Sequence, residues 1–161
     1  MKKYISILLM MVCYSCFSQE NNHHSYLLEG SYFYGNIYNH NSDISHLIQG
    51  HPTGVFLSFD KKTFGLKEWQ KKYNFPDWGF SLVYKDLKNK SLGENYGFYA
   101  NYNFYLFKRN LQLSLGTGLA LNTNPYDQDS NYLNIAYGTR LLSSSFIKAN
   151  FIKSSVWRGL G

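Results

Sequence analysis

Residues 40–43 read His-Asn-Ser-Asp. In a strand, His40 and Ser42 would share a face. The imidazole could then take the hydroxyl proton and create a nucleophile for acyl transfer. The surrounding "NHNSD" has loop composition, however, and a loop does not fix that geometry. His46 and His51 lie close by, while His23 and His24 come earlier. Histidines in a loop with no visible supporting residues suit solvent better than zinc. "GTG" at 116–118 is not a phosphate loop, because no helix follows it. The segment 61–77, "KKTFGLKEWQKKYNFPD", is different. Leu66, Trp69 and Tyr73 fall at helix-like spacing, with Lys61, Lys62, Lys67, Lys71 and Lys72 around them. Lysines beside a Trp/Tyr edge match lipid phosphates at a membrane interface. Lys67, Trp69, Lys71, Lys72 and Tyr73 are therefore the candidate lipid-interface contacts. A second reading makes the segment a solvated connector whose aromatics seat it on the rest of the fold. No catalytic residue, metal-ligand set or cofactor site is expected.

The elements that would position these residues must come from a chain of 161 residues, enough for one domain. Charged residues make up only 16 %, while Tyr and Phe together number 27. So many rings and so few charges exclude a disordered chain. Lys2 and Lys3 followed by "YISILLMMVCYSC" have the pattern of a signal peptide, assigned to 1–19. The h-region is short for a membrane anchor, and Cys16 fits a lipoprotein site poorly. Export would remove Cys13 and Cys16, leaving neither disulfide nor thiol nucleophile. It would also leave 14 bases against 10 acids. That mild excess fits an anionic surface without naming one, and no nucleic-acid partner is expected.

The remainder, 20–161, is dominated by period-two alternation. In 26–38, Leu28, Tyr32, Tyr34 and Tyr38 share a face. In 53–60, Val55, Leu57 and Phe59 do so, and in 78–86, Trp78, Phe80, Leu82 and Tyr84. In 95–107 the set is Tyr96, Phe98, Ala100, Tyr102, Phe104 and Leu106, opposite Gly97, Asn101 and Asn103. In 111–122 Leu111, Leu113, Leu115, Leu119 and Leu121 oppose Gln112, Ser114, Gly116, Gly118 and Asn122. "KRN" at 108–110 is a tight turn, and a weaker strand is expected over 144–157. A soluble barrel would turn the large face inward and carry charge outside. Here the smaller face is Gly, Ser, Asn, Gln and Ala, which suits a narrow lumen. Aromatic, apolar faces of about 9–11 residues suit strands that cross a bilayer. Such strands must close, because lipid offers no partner to backbone N–H and C=O groups. The fold class read from the chain is therefore all-β, an antiparallel up-and-down outer-membrane β-barrel. One tension remains: 61–77 falls on the same side as the short 108–110 turn, where connections should be short. A short helix packed at the barrel rim resolves it.

Several marks resemble a known family: Gly54, Thr63-Phe64-Gly65 with Trp69, Tyr73 to Pro76, "LGENYGFY" (92–99), "LGTGLA" (115–120) and "NIAYG" (134–138). Their order is similar to the outer-membrane lipid A 3-O-deacylases, often labelled acyloxyacyl hydrolases. The resemblance spans roughly 28–155. It implies an eight-stranded barrel, a lipid A (lipopolysaccharide) substrate, and ester hydrolysis by a serine in a His-x-Ser-Asn motif on a later strand. It implies no cofactor and leaves open whether copies pair as a homodimer. This chain departs from the motif. The His-x-Ser at 40–42 lies in another loop and is followed by Asp43. The expectation is thus about six of the eight strands, an incomplete barrel domain over 20–161, and no transferable catalytic residue. The rival expectation is a non-enzymatic structural or small-pore barrel.

Overall fold

The computed structural model describes residues 25–39 and 42–152. The proposed signal peptide, His23, His24, His40 and Asn41 lie outside them. Six strands follow in order: β1 Tyr26–Tyr34, β2 Thr53–Lys61, β3 Asp77–Asp86, β4 Glu94–Leu106, β5 Leu111–Asn122 and β6 Leu141–Phe151. They form one sheet in sequence order, every neighbouring pair antiparallel. A 3-10 turn, Ser42–Leu47, lies in the β1–β2 connection. One short helix, α1 Glu68–Lys72, lies between β2 and β3. Among the described residues no helix is long and apolar enough to cross a membrane.

Two boundaries differ from the sequence reading. β1 stops at Tyr34 rather than running to Tyr38. Its last ladder partner is Thr53, and the next residue of β2 would be Pro52. Gly35 N–H still donates to Pro52 O at 2.9 Å. Pro52 has no N–H to return the bond, so the ladder ends. β6 begins at Leu141, earlier than expected, because Leu141 to Phe151 pair along β5 from Leu121 to Leu111. The part of the expected strand beyond 152 lies outside the described residues.

The sheet curls. Following the ladder across from Glu29 leads through Ser58, Ser81, Tyr99 and Gly118 to Ser144. Yet Glu29 accepts a 2.7 Å ion-pair bond from Lys148 Nζ, four residues further along β6. That offset is the stagger a sheet acquires when tilted strands wrap around an axis. Phe146 from β6 also meets Phe56 from β2, ring centroids 5.3 Å apart and nearly perpendicular. The inner face of the last strand therefore reaches across the interior to the first two. β1 and β6 do not join in a ladder among the described residues.

Glycines make this curl possible at two inward positions. Phe146 pairs directly with Gly116, and a Cβ there would lie 2.1 Å from its ring. Tyr99 lies over Gly97 in the same way, its ring 2.4 Å from the place a Cβ would take. Large rings thus fill the lumen by lying on strand backbone that has no side chain.

The outward face is the apolar one. Leu57, Phe59, Phe80, Leu82, Phe98, Leu119 and Ile147 are exposed, whereas Ser58, Asp60, Ser81, Asn101, Asn103 and Ser114 are buried. A water-soluble sheet would show the reverse. β4, with 13 residues, is about 40 Å long at ~3.4 Å per residue, and a tilt near 40° leaves about 30 Å of height.

Two substitutions test this arrangement in protein folded into phosphatidylcholine bilayers. Phe98→Lys is expected to lower urea-unfolding stability by about 2–4 kcal/mol, the cost of an ammonium near the middle of a bilayer. A neutral result would show that Phe98 meets water. Gly116→Val is expected to cost about 1–3 kcal/mol by displacing the Phe146 ring. Gly35→Ala, where nothing lies within 4 Å of the new carbon, serves as the silent control.

Candidate lipid-facing wall and lumenal site

The outward rings concentrate towards the two ends of the wall. At the end of the 107–110 turn stand Tyr26, stacked on Phe59 at 5.1 Å, with Trp78 and Tyr102. At the other end stand Tyr32, Tyr34, Tyr84 and Tyr96, the last two with centroids 5.1 Å apart. Between them the surface is mostly Leu and Phe. Amphipathic rings above and below an aliphatic band are what a strand meets on crossing both faces of a bilayer.

The interior is polar at its ends and aromatic in the middle. Phe56, Val83 and Tyr99 form a buried cluster joined by Phe33 and Phe146. Lys148 Nζ lies 4.0 Å over the Phe56 ring while holding Glu29. Towards the turn end, Asp60 accepts from Asn101 Nδ2 at 2.5 Å and from Ser58 Oγ at 3.1 Å, and Ser81 Oγ donates to Asn101 Oδ1 at 2.8 Å. Below it, fully buried Asp77 accepts from Tyr105 Oη at 2.6 Å and from Thr63 N–H at 3.2 Å. Arg109 closes this end. Its guanidinium stacks 3.7 Å over the Tyr105 ring, comes 4.0 Å from Asp77 and donates to Phe75 O at 3.2 Å. Arg109 and its neighbours Phe107 and Lys108 all have positive φ, between 50° and 68°. The turn accepts a conformation costly for non-glycine residues, and Arg109 reaches back over the lumen from it.

This trio of Asp77, Tyr105 and Arg109 was missed in the sequence. Strand parity carried the signal. Asp77 is in phase with inward Gly79 and Ser81, and Tyr105 with inward Asn101 and Asn103.

The segment 61–77 does carry a rim helix, but the aromatics do not seat it. Trp69 and Tyr73 are exposed, as are Leu66, Lys67, Lys71 and Lys72. α1 starts where Gln70 Oε1 accepts from Lys67 N–H at 3.3 Å. The connection is fastened instead by Thr63 Oγ1 donating to Pro76 O at 2.7 Å, by Asn74 Nδ2 donating to Tyr105 O at 2.8 Å, and by Arg109. Backbone groups hold it down because they sit next to the strand ends, while the helix projects away from them.

At the opposite end the connections 35–52, 87–93 and 123–140 pack into one cap. Leu47, Leu87 and Leu92 are its buried centre, with Ile37, Ile44 and Tyr137 against them. Asparagines lock it. Asn89 Nδ2 donates to Leu47 O, and Asn131 Nδ2 to Ser91 O. The buried Asn134 of "NIAYG" donates to Asn124 O and accepts from Ala136 and Tyr137 N–H groups. Backbone N–H and hydroxyl bonds from Ser130, with the N–H of Asp129, hold the exposed Asp127 carboxyl below the ordinary carboxylate range.

The two described histidines each bond to an oxygen other than a serine hydroxyl. His46 Nε2 contacts Leu133 O at 3.0 Å, and His51 Nδ1 contacts Asn36 Oδ1 at 2.5 Å. The His40–Ser42 motif lies at the edge of the described residues. Among those residues, no group of three or more His, Cys, Asp or Glu could hold a metal. Ser58 bonds directly to Asp60, but a carboxylate alone is too weak a base to raise a serine alkoxide near neutral pH.

An antiparallel wall with rings outward and a filled polar interior defines a membrane-barrel type of protein. Among known families, the profile described as Lipid A 3-O-deacylase (PagL) matches residues 53–156. The chain belongs to that family. No curated protein and no solved structure matches it.

The Asp77 cluster has a direct test. Tyr105→Phe is expected to lower stability by about 1–3 kcal/mol, since Asp77 loses its shortest buried bond. Tyr102→Phe, on the outward face, is expected to stay within about 0.5 kcal/mol. Urea midpoints of the two variants in the same bilayers measure the difference.

Proposed function

We propose that this chain is an exported outer-membrane protein that meets lipid A in the bilayer, in the manner of lipid A deacylases. The single observation that carries the reading is the orientation of the wall. Every strand presents exposed apolar residues on its outer side, and the interior is closed by polar bonds and rings. Family membership supports lipid A as the lipid in question. Residues 1–19 would act as the export signal, and 20–161 would form the barrel domain.

The chain contains no His-x-Ser-Asn. We therefore infer that the barrel is catalytically incomplete as given. The edges of β1 and β6, unpaired among the described residues, support the same reading. Unsatisfied backbone groups facing lipid cost several kcal/mol each, so both edges need partners for the wall to be stable. Absence of the motif also supports a second reading, a non-enzymatic structural barrel. A pore is less well supported, because Phe56, Tyr99, Phe146 and Arg109 occupy the lumen.

Incubating the full chain with lipid A in mixed micelles and measuring released fatty acid by mass spectrometry tests the proposal. Release is expected to match a no-protein control. Release above it would place a nucleophile within these 161 residues and overturn the incomplete-site reading.

A further inference from the structure

Charge is divided unequally between the two ends of the wall. The β2–β3 connection, the 107–110 turn and the strand ends that enter them hold seven bases, six of them lysines, against Glu68 and the buried Asp60 and Asp77. The cap at the other end, with the strand ends that enter it, holds four bases against five acids. Arg109 is engaged with Asp77 and Phe75. None of the six lysines (Lys61, Lys62, Lys67, Lys71, Lys72, Lys108) forms an ion pair among the described residues. So many like charges on one rim repel each other unless an anionic surface lies opposite.

Apolar groups stand among these lysines. Leu66, Trp69, Tyr73 and Phe107 are exposed at the same rim, with Lys72 Nζ 5.9 Å from the Tyr73 ring centre. Lys61 is the ladder partner of outward Trp78. Lys71 and Lys72 lie in α1, and Lys67 immediately precedes it. Cations interleaved with Trp, Tyr and Leu at the end of an apolar wall match a headgroup layer, phosphates outside and glycerol and acyl carbons beneath.

We propose that this rim is a collar for anionic glycerophospholipid headgroups. Lys67, Lys71 and Lys72 contact lipid phosphates, and Trp69 and Tyr73 insert beside them at the glycerol level. The four-residue turn, the shortest link in the sheet, lies on this rim. Barrels of this kind place short turns on the periplasmic side, so the lipid is the phospholipid of the inner leaflet rather than lipid A. The proposal rests on the outward face meeting lipid.

The test uses the full chain folded in neutral maltoside micelles and supplied with equal amounts of phosphatidylglycerol and phosphatidylcholine. Retained lipids are counted by native mass spectrometry. At low salt, phosphatidylglycerol is expected to be retained about tenfold over phosphatidylcholine, and the preference should fall severalfold near ~0.5 M salt. The variant K67Q/K71Q/K72Q should lose the preference. The far-end variant K88Q/K90Q/R140Q, which removes the same charge, should keep it. Inorganic phosphate at about 10 mM should not displace the lipid, because a free anion lacks the acyl anchor. Heat-shifted gel migration confirms that each variant is folded. Equal retention of both lipids, a preference surviving in the near-rim variant, loss in the far-end variant, or displacement by phosphate would each overturn the collar. Failure of the lipid-facing reading itself would show separately, as a neutral Phe98→Lys.

Discussion

Every backbone N–H and C=O of a strand surrounded by acyl chains needs a partner from another strand, because hydrocarbon supplies none. The rest of this molecule follows from that requirement. The ladders from β1 to β6 give each internal strand a partner on both sides, and each strand can then present apolar side chains to the outside. The same requirement makes the outer strands β1 and β6 the weak places in the wall. Their inner side chains already meet through Glu29 and Lys148, but a side-chain ion pair does not satisfy a backbone edge.

Closing a sheet of few strands leaves a narrow interior, and the composition of the inward face answers that geometry. Small residues let Tyr99 and Phe146 lie flat on the backbone, and amides and hydroxyls pair with one another around Asp60 and Asp77. Two inward acids have cationic partners, while the buried Asp60 is held by Asn101 and Ser58. Lys148 serves Glu29, and Arg109 serves Asp77 from a turn held in left-handed conformation. Burying a carboxylate without such partners would cost far more than the strain of the turn. The lumen is thus a structural element that holds the wall's curvature.

The two rims solve different problems. The cap end joins three long connections through a small leucine core and a set of asparagine bonds to backbone carbonyls, which orders loops that lack regular structure. The turn end keeps its connections close to the strand ends and leaves its lysines and rings uncovered. Belonging to the lipid A 3-O-deacylase (PagL) family gives the wall its lipid context.

The chain's own pattern determined which face of each strand is apolar, and so the strand positions, the inward glycines and the fold class. Alternation is a local property, since successive side chains point to opposite sides whatever the strand pairs with. The end of β1 depended on a specific neighbour, Pro52, whose missing N–H matters only once the register is known. The start of β6 likewise depended on its pairing with β5. The Asp77–Tyr105–Arg109 cluster and the Glu29–Lys148 pair join residues up to 119 positions apart. Strand parity could mark those residues as inward, but their partners were set by stagger and curl, which arise only when the strands wrap together. The seat of the 61–77 connection was misread for the same reason: helical spacing showed its aromatic edge, while the strand ends beside it decided that backbone bonds would hold it.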